Sequence, residues 1–415
     1  MKSFRCLTSL GLALGLLAAP QVEAVLISVK SLGMAGVGIG YAQDAMAAAH
    51  NPGSAAVIGN RYDLGLTFAH LHGNLHIEGS ALDGLVDGHF NSYHRPKHFW
   101  SPNFGINYDL NCDWTIGLVV YNRDLSKTTY KNSFFLLGTT PAGIEYVNET
   151  ISPYVAYRWG CHNFGVSFNW QVSRLKINGF QNFDNPVRSV APGHVTNEGY
   201  NYSNGLGVTF GWYWLATDTI NIGASYQPKC RMSRFKKYKG FLADHGKFDQ
   251  PQKIGAGISW RFIECATLAL DYEFVDWKQN SAVHNSLLHD GVVQQAGSKQ
   301  GPGFGWRSKH YFRLGADYAL CGDWIVRAGI RYAPTQIRRS QTVLNAFTME
   351  PLVETVVTAG ATWYLSCCNE IDVFGGYGFN KKVKGKNSIP PSFGGGEANL
   401  NQDLWVVGIS WGHRF

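Results

Sequence analysis

The chain has 415 residues, of which 14% are aromatic, 16% are charged and 48 are glycine, with a formal net charge of +7. So few charges beside so many aromatics and glycines set aside a bundle of amphipathic helices and favour strands joined by tight turns. Length does not decide the domain count, because a barrel grows by adding hairpins, and the basic balance has to be judged by where the cations fall.

The chain opens Met1-Lys-Ser-Phe-Arg5, runs apolar from Leu7 to Ala19 and continues Val22-Glu23-Ala24. A basic start, a short apolar core and small residues at its end predict a signal peptide over residues 1–24, cut after Ala24. Cys6 precedes the core, so it is not placed for a lipid anchor. No other stretch approaches the ~20 apolar residues of a spanning helix, so a mature chain in a membrane is there as a barrel. Residues 25–60 then break any strand alternation with Gly33, Gly36, Gly38, Gly40, an alanine-rich run from Ala45 to Ala49, and Asn51-Pro52-Gly53. Such a segment either folds into a lumen as a plug or trails as a periplasmic tail, and its residues leave both open.

From residue 61 to 415 one pattern repeats: about ten residues of alternating character, a short polar turn, about ten more, then a longer polar segment. The short turns fall at Asn111-Cys112-Asp113, Gly160 to Asn163, Thr217-Asp218, Glu264-Cys265, Cys321-Gly322-Asp323 and Cys367 to Asn369. Six short turns and the two ends predict an all-β, antiparallel transmembrane barrel of about fourteen strands. Within strands the apolar residues share a parity, as in Phe104, Ile106, Tyr108 and Leu110, or Leu268, Leu270, Tyr272 and Phe274, or Trp324, Val326, Ala328 and Ile330. The other parity carries Asn103, Asn107, Asp109, Asp271, Glu273, Arg327 and Arg331. Alternation alone fits a soluble sandwich as well as a barrel. The last strand separates them: Trp405, Val407, Ile409, Trp411 and Phe415 share one parity, and an aromatic residue closes the chain. That ending resembles the strand by which insertion machinery recognises outer-membrane proteins, so Phe415 is the expected contact.

The cations follow strands that exit on the long-loop side: Arg231, Arg234, Lys236, Lys237 and Lys239, then Arg338 and Arg339, then Lys381, Lys382, Lys384 and Lys386. A basic outer rim facing lipopolysaccharide phosphates is expected, and no nucleic-acid site. Cys112, Cys161, Cys265, Cys321, Cys367 and Cys368 fall at the short turns, with Cys230 apart from them. In the periplasm they are candidates for bridges between neighbouring turns, such as Cys321 with Cys367 or Cys368, for bridges to other envelope proteins, or for remaining free thiols. His70, His72, His76, His89, His94 and His98 lack a third-ligand pattern, so no metal site is expected. Gly408-Ile-Ser410-Trp-Gly412 matches a hydrolase nucleophile motif but lies inside a strand, where no elbow can form. Nothing in the sequence calls for a cofactor or an enzyme.

Three patches resemble the FadL/TodX family of outer-membrane transporters for long-chain fatty acids and other hydrophobic compounds. They are Ser31-Leu-Gly-Met-Ala-Gly-Val-Gly38 through Asp44 to Asn51-Pro52-Gly53, where Gly53 replaces the family's Ala; Gln252 to Trp277; and Lys309 to Tyr332 followed by Ala333-Pro334. The resemblance implies a hatch over residues 25–60, with Asn51 bonded to the barrel wall and Pro52 fixing the turn. It implies capture of a hydrophobic ligand at the outer loops, a luminal pocket, and passive release through a wall opening at a kinked strand. Pro102, Asn103 and Gly105 are the candidates for that kink. Arg158 and Lys309, both on the lumen parity, match the family's ligand-contacting basic residues. The other readings are a structural or adhesive surface barrel and a general porin without a plug.

Overall fold

The computed structural model describes residues 27–415 apart from 82–87, 92–98, 135–136, 321 and 349–351; the expected signal peptide, His94, His98 and Cys321 lie outside the described residues. Fourteen strands form the barrel. They are β1 Arg61–Glu78, β2 Phe99–Asp109, β3 Trp114–Ser133, β4 Pro141–Trp159, β5 His162–Asn178, β6 Asn201–Leu215 and β7 Ile220–Gln227. The second half comprises β8 Gln252–Ile263, β9 Ala266–Asp276, β10 Lys309–Ala319, β11 Trp324–Tyr332, β12 Thr355–Tyr364, β13 Asn369–Val383 and β14 Glu397–Arg414. Each strand pairs antiparallel with its sequence neighbour, and β1 pairs with β14 from Arg61 opposite Arg414 to Glu78 opposite Glu397, which closes the sheet and removes its edges. A short arm, Gly88–Asn91, pairs with the outer end of β1.

The faces are inverted relative to a soluble protein. Leu270 is 48% exposed while its neighbour Asp271 is 0%, and the same alternation holds along β14, where Ile409 is exposed and Ser410 is buried. A soluble sandwich would bury the leucine; a closed sheet in lipid turns it outward and keeps the carboxylate in the lumen. The described chain has no helix long and apolar enough to span a membrane. Short turns are closed by their own side chains. Asn111 Oδ1 accepts the N–H groups of Asp113 and Trp114, Thr217 Oγ1 those of Thr219 and Ile220, and Ser366 Oγ those of Cys368 and Asn369.

Residues before β1 pack on the lumen-facing side of the wall. Helix α1, Val29–Gly33, starts at Ser28, whose hydroxyl accepts the Ser31 N–H, and a 3₁₀ turn, Pro52–Val57, is capped by Asn51. At the opposite end the long loops carry an apolar core of their own, in which Phe347 packs edge-on against Tyr130, Phe134 and Phe180 with ring centroids 5.5, 5.3 and 5.2 Å away.

Candidate functional site

Three cavities run from the outer loops inward. The outermost, about 90 Å³, is apolar and lies among the loops, against Leu75, Phe180, Phe241, Leu242, Phe304 and Phe347. A smaller one of about 30 Å³ shares Leu242 and Phe304 with it, and adds Tyr146, Trp277 and Asp124. The innermost, about 110 Å³, shares Asp124 and Trp277 with the second and is bounded below by the hatch residues Leu32, Ala35, Ile39 and His50. The shared residues place the three in series.

The outer cavity has no charged lining residue, Asp124 is the first met on the way in, and the cations gather at the inner end. Lys253, Lys309, Arg313 and Arg331 line the inner cavity beside Glu273 and Asp124. Glu273 accepts an ion pair from Arg313 at 2.9 Å and lies 3.8 Å from Lys253. Lys309, Arg313 and Arg331 surround the Tyr311 ring at 5.5, 5.0 and 5.9 Å from its centroid. Four cations against two carboxylates give this buried space a positive balance, which favours an anionic group entering it. The strand period produces the cluster: Lys309, Tyr311 and Arg313 are alternate residues of β10, and Arg331 is opposite Arg313 on β11.

The hatch is fastened around its edge. The N–H groups of Gly38, Ile39 and Gly40 donate to the Asp271 carboxylate at 2.7, 2.8 and 3.2 Å. A side chain at Gly40 would meet the Gly257 backbone 2.3 Å away, so only glycine lets this segment reach the wall. Asn51 donates to the carbonyls of Ile39 and Trp212 at 3.0 and 2.9 Å, and its oxygen accepts the Gly53 N–H at 3.0 Å. A Cβ at Gly53 would sit 2.8 Å from the Asn163 carbonyl oxygen, which accounts for glycine where the family has alanine. Lys30 pairs with Glu370 and lies 3.8 Å from Asp372, while Arg61 pairs with both Asp63 and Glu370. The converging carboxylates Asp63, Glu370 and Asp372 are met by these two cations, with Arg414 3.8 Å from Glu370, an arrangement that ties hatch to wall.

The wall changes beside this cluster. Pairing of β2 with β3 stops at Phe104 opposite Val120, although β1 remains paired with β2 out to Phe99 and β3 with β4 out to Ser133. Pro102, which has no N–H to give, and Asn103 lie just beyond the last pair, while Gly105 lies within it, where a Cβ would be 2.8 Å from the backbone of Ala45 in the hatch. On the facing strand the register shifts between Asn122 and Asp124. Arg123 is the extra residue, 2% exposed, 3.6 Å from Asp124, with Nε and one terminal nitrogen lacking a hydrogen-bond partner.

Other residues singled out by sequence are dispersed. Arg158 does not join Lys309: it lies at the short-turn end of β4, where its guanidinium donates to the Cys112 carbonyl at 3.1 Å and to the Ala56 carbonyl of the hatch. Lys309 is 4% exposed and lines the inner cavity. Of the loop cations, Arg231, Lys236, Lys237, Arg339, Lys382, Lys384 and Lys386 are exposed; Lys239 and Arg338 are half-buried. Arg234 is exposed and pairs with Asp244 at 3.4 Å, and Lys381 pairs with Glu354 at 2.6 Å. Cys112, Cys161, Cys265, Cys367 and Cys368 carry no disulfide, so the described turns form no bridge to one another. Ser410 donates to Asp372 at 3.0 Å within β14. His70 stacks on Trp405, His72 lies 3.3 Å from Asp403 and His76 3.3 Å from Glu78, so these three do not converge; the side chain of His89 is outside the description. Phe415 packs near Tyr62 and Tyr108, and its N–H donates to the Asn60 carbonyl at 3.2 Å.

A closed barrel with an apolar exterior, a fastened luminal hatch and a graded series of cavities defines an outer-membrane channel. Residues 15–415 match the family model described as outer membrane protein transport protein (OMPP1/FadL/TodX), and the chain belongs to that family. A crystal structure of a Pseudomonas aeruginosa FadL homologue superposes with a TM-score of 0.73 at 15% identity, over 95% of this chain and 100% of that one. The P. putida toluene transporter TodX gives 0.65 at 15% identity over 93% and 97%, and the Ralstonia pickettii toluene transporter TbuX 0.61 at 18% over 94% and 98%. No match is found among curated proteins. The chain is thus a bacterial outer-membrane channel of a family that transports hydrophobic compounds, with no enzymatic role.

Proposed function

We propose that this channel takes up amphipathic acids, long-chain fatty acids foremost, by passive diffusion. The observation that carries the reading is the gradient along the cavities, from apolar at the outer loops to cationic in the lumen. An acyl chain leaving water gains ~0.8 kcal/mol per CH₂, which the outer cavity supplies. The carboxylate then has Lys309, Arg331, Lys253 and Arg313 ahead of it. A neutral aromatic would gain from the first stage only, so the cations select for acids. Release runs sideways through the interval between β2 and β3 beside Pro102 and Asn103, with Arg123 at its inner edge, once the hatch shifts. Arg158 acts in this scheme by holding the hatch carbonyl of Ala56 rather than by touching the ligand. The exposed outer lysines and arginines pair with lipopolysaccharide phosphates, and Phe415 presents the last strand to the insertion machinery.

The test is equilibrium binding of radiolabelled oleate to the detergent-folded protein. Saturable binding that Lys309→Ala weakens and Arg158→Ala leaves in place supports the assignment. Saturable toluene binding with none for oleate refutes it.

A further inference from the structure

Thiols gather at one end of this barrel. Cys112, Cys161, Cys265 and the Cys367-Cys368 pair sit in four of the six short turns; the turn at Thr217-Asp218 has no cysteine, and Cys321 lies outside the described residues. Cys112, Cys161 and Cys367 are exposed, Cys265 and Cys368 half-buried, and none is in a disulfide. Packing does not account for them, since cysteine that serves packing is among the most buried residue types and tight turns call for Gly, Asn, Asp or Ser. Cys230 shows the contrast: it is buried in the outer loops against Met232, and burial pushes its thiol up.

Short turns of such barrels face the periplasm, which is oxidising. Bridges between turns do not fit. Turns of neighbouring hairpins are two strand spacings apart, about 9–10 Å, whereas a disulfide spans about 4.4–6.8 Å between Cα atoms. The turns are also held in place: the Cys161 carbonyl accepts the Leu215 N–H at 2.9 Å, that of Cys265 the Ala319 N–H at 2.7 Å, and that of Cys368 the Arg414 N–H at 2.8 Å. Among the described residues only Cys367 and Cys368 bring their sulfurs close, at 3.4 Å.

We propose that the periplasmic rim is a covalent docking surface for a disulfide-bearing periplasmic protein, joined by thiol-disulfide exchange. A rim thiol such as Cys367 gives its proton to water, and the thiolate attacks one sulfur of the partner's disulfide. A sulfur-sulfur bond forms between the chains, the partner's bond breaks, and its second sulfur leaves as a thiolate that takes up a proton. No separate oxidant is consumed. A second copy alongside in the membrane would meet the rim along one arc. The thiols instead run from the β2–β3 turn to the β12–β13 turn, around most of the circumference, so a protein lying beneath the barrel reaches them all.

The experiment traps native membranes carrying the full chain with N-ethylmaleimide, resolves them on gels without reductant, and sequences the linked peptides by mass spectrometry. Expected are high-mass species that collapse on reduction, with peptides joining Cys112, Cys161, Cys265, Cys367 or Cys368 to a cysteine of a periplasmic protein. Replacing Cys112, Cys161, Cys265, Cys367 and Cys368 by serine should abolish these species while the barrel stays heat-modifiable, and Cys230→Ser should leave them unchanged. Rim thiols all alkylated in the membrane, a bridge between two rim cysteines of one chain, or species containing only this chain would each overturn the proposal.

Discussion

The outer and inner halves of the lumen are built from opposite materials. Above, Phe347 and its neighbours close an apolar cavity with long loops; below, Lys309, Arg313 and Arg331 gather round Tyr311 against a hatch bound through backbone groups. Apolar burial is tolerant of shape and suits first capture, whereas buried charge is specific and costly unless matched. In the proposed function the two halves therefore divide affinity from selectivity.

The largest expected effect comes from removing the inner charge. The Lys309→Ala, Arg331→Ala double variant should bind oleate at least ~100-fold more weakly, because charge-assisted bonds contribute about 1.5–3 kcal/mol each. Its affinity for a neutral hydrocarbon should hardly change, measured by the same equilibrium assay. Next comes the hatch: Asp271→Ala orphans three N–H groups, each at a cost of about 1–3 kcal/mol, and should open a path for small sugars in liposome-swelling assays. Gly53→Ala pushes a methyl toward the Asn163 carbonyl and should destabilise the hatch by about 1–3 kcal/mol, read as faster proteolysis of residues 27–60 with the barrel intact. The smallest effect is at the outer cavity, where Phe347→Ala should weaken capture of acid and neutral ligands alike, by roughly tenfold from lost apolar contact. An unequal effect there would erase the division between the halves.

Much of the barrel was legible because its grammar is local. Alternation, Asn111 and Thr217 in the turns, and the aromatic end at Phe415 each act within a few residues, so strand number and inverted faces follow from the chain. Parity gives the face of a residue but not its height. Arg158 and Lys309 share the lumen parity, yet register sends one to the turn end and the other to the inner cavity. The cluster of Lys253, Glu273, Arg313 and Arg331 was missed as a site because it is assembled from four strands; the alternate Lys309, Tyr311 and Arg313 of β10 were its one local signal. Pro102 is visible in the sequence as a residue without an N–H, and pairing ends two residues from it, whereas the buried Arg123 on the facing strand depends on a register shift that no local pattern announces. Glycines in residues 33–40 signalled close approach without saying to what; Asp271 supplies the answer from a strand more than two hundred residues away.

The most direct test of selection by charge compares oleate with oleyl alcohol, which has the same chain and no carboxylate, in binding to the folded wild-type protein and to the Lys309→Ala, Arg331→Ala variant. Wild type should prefer oleate at least tenfold, and the variant should lose the preference while keeping its affinity for the alcohol. Equal binding of the two by wild type, or a preference that survives in the variant, would contradict selection by charge.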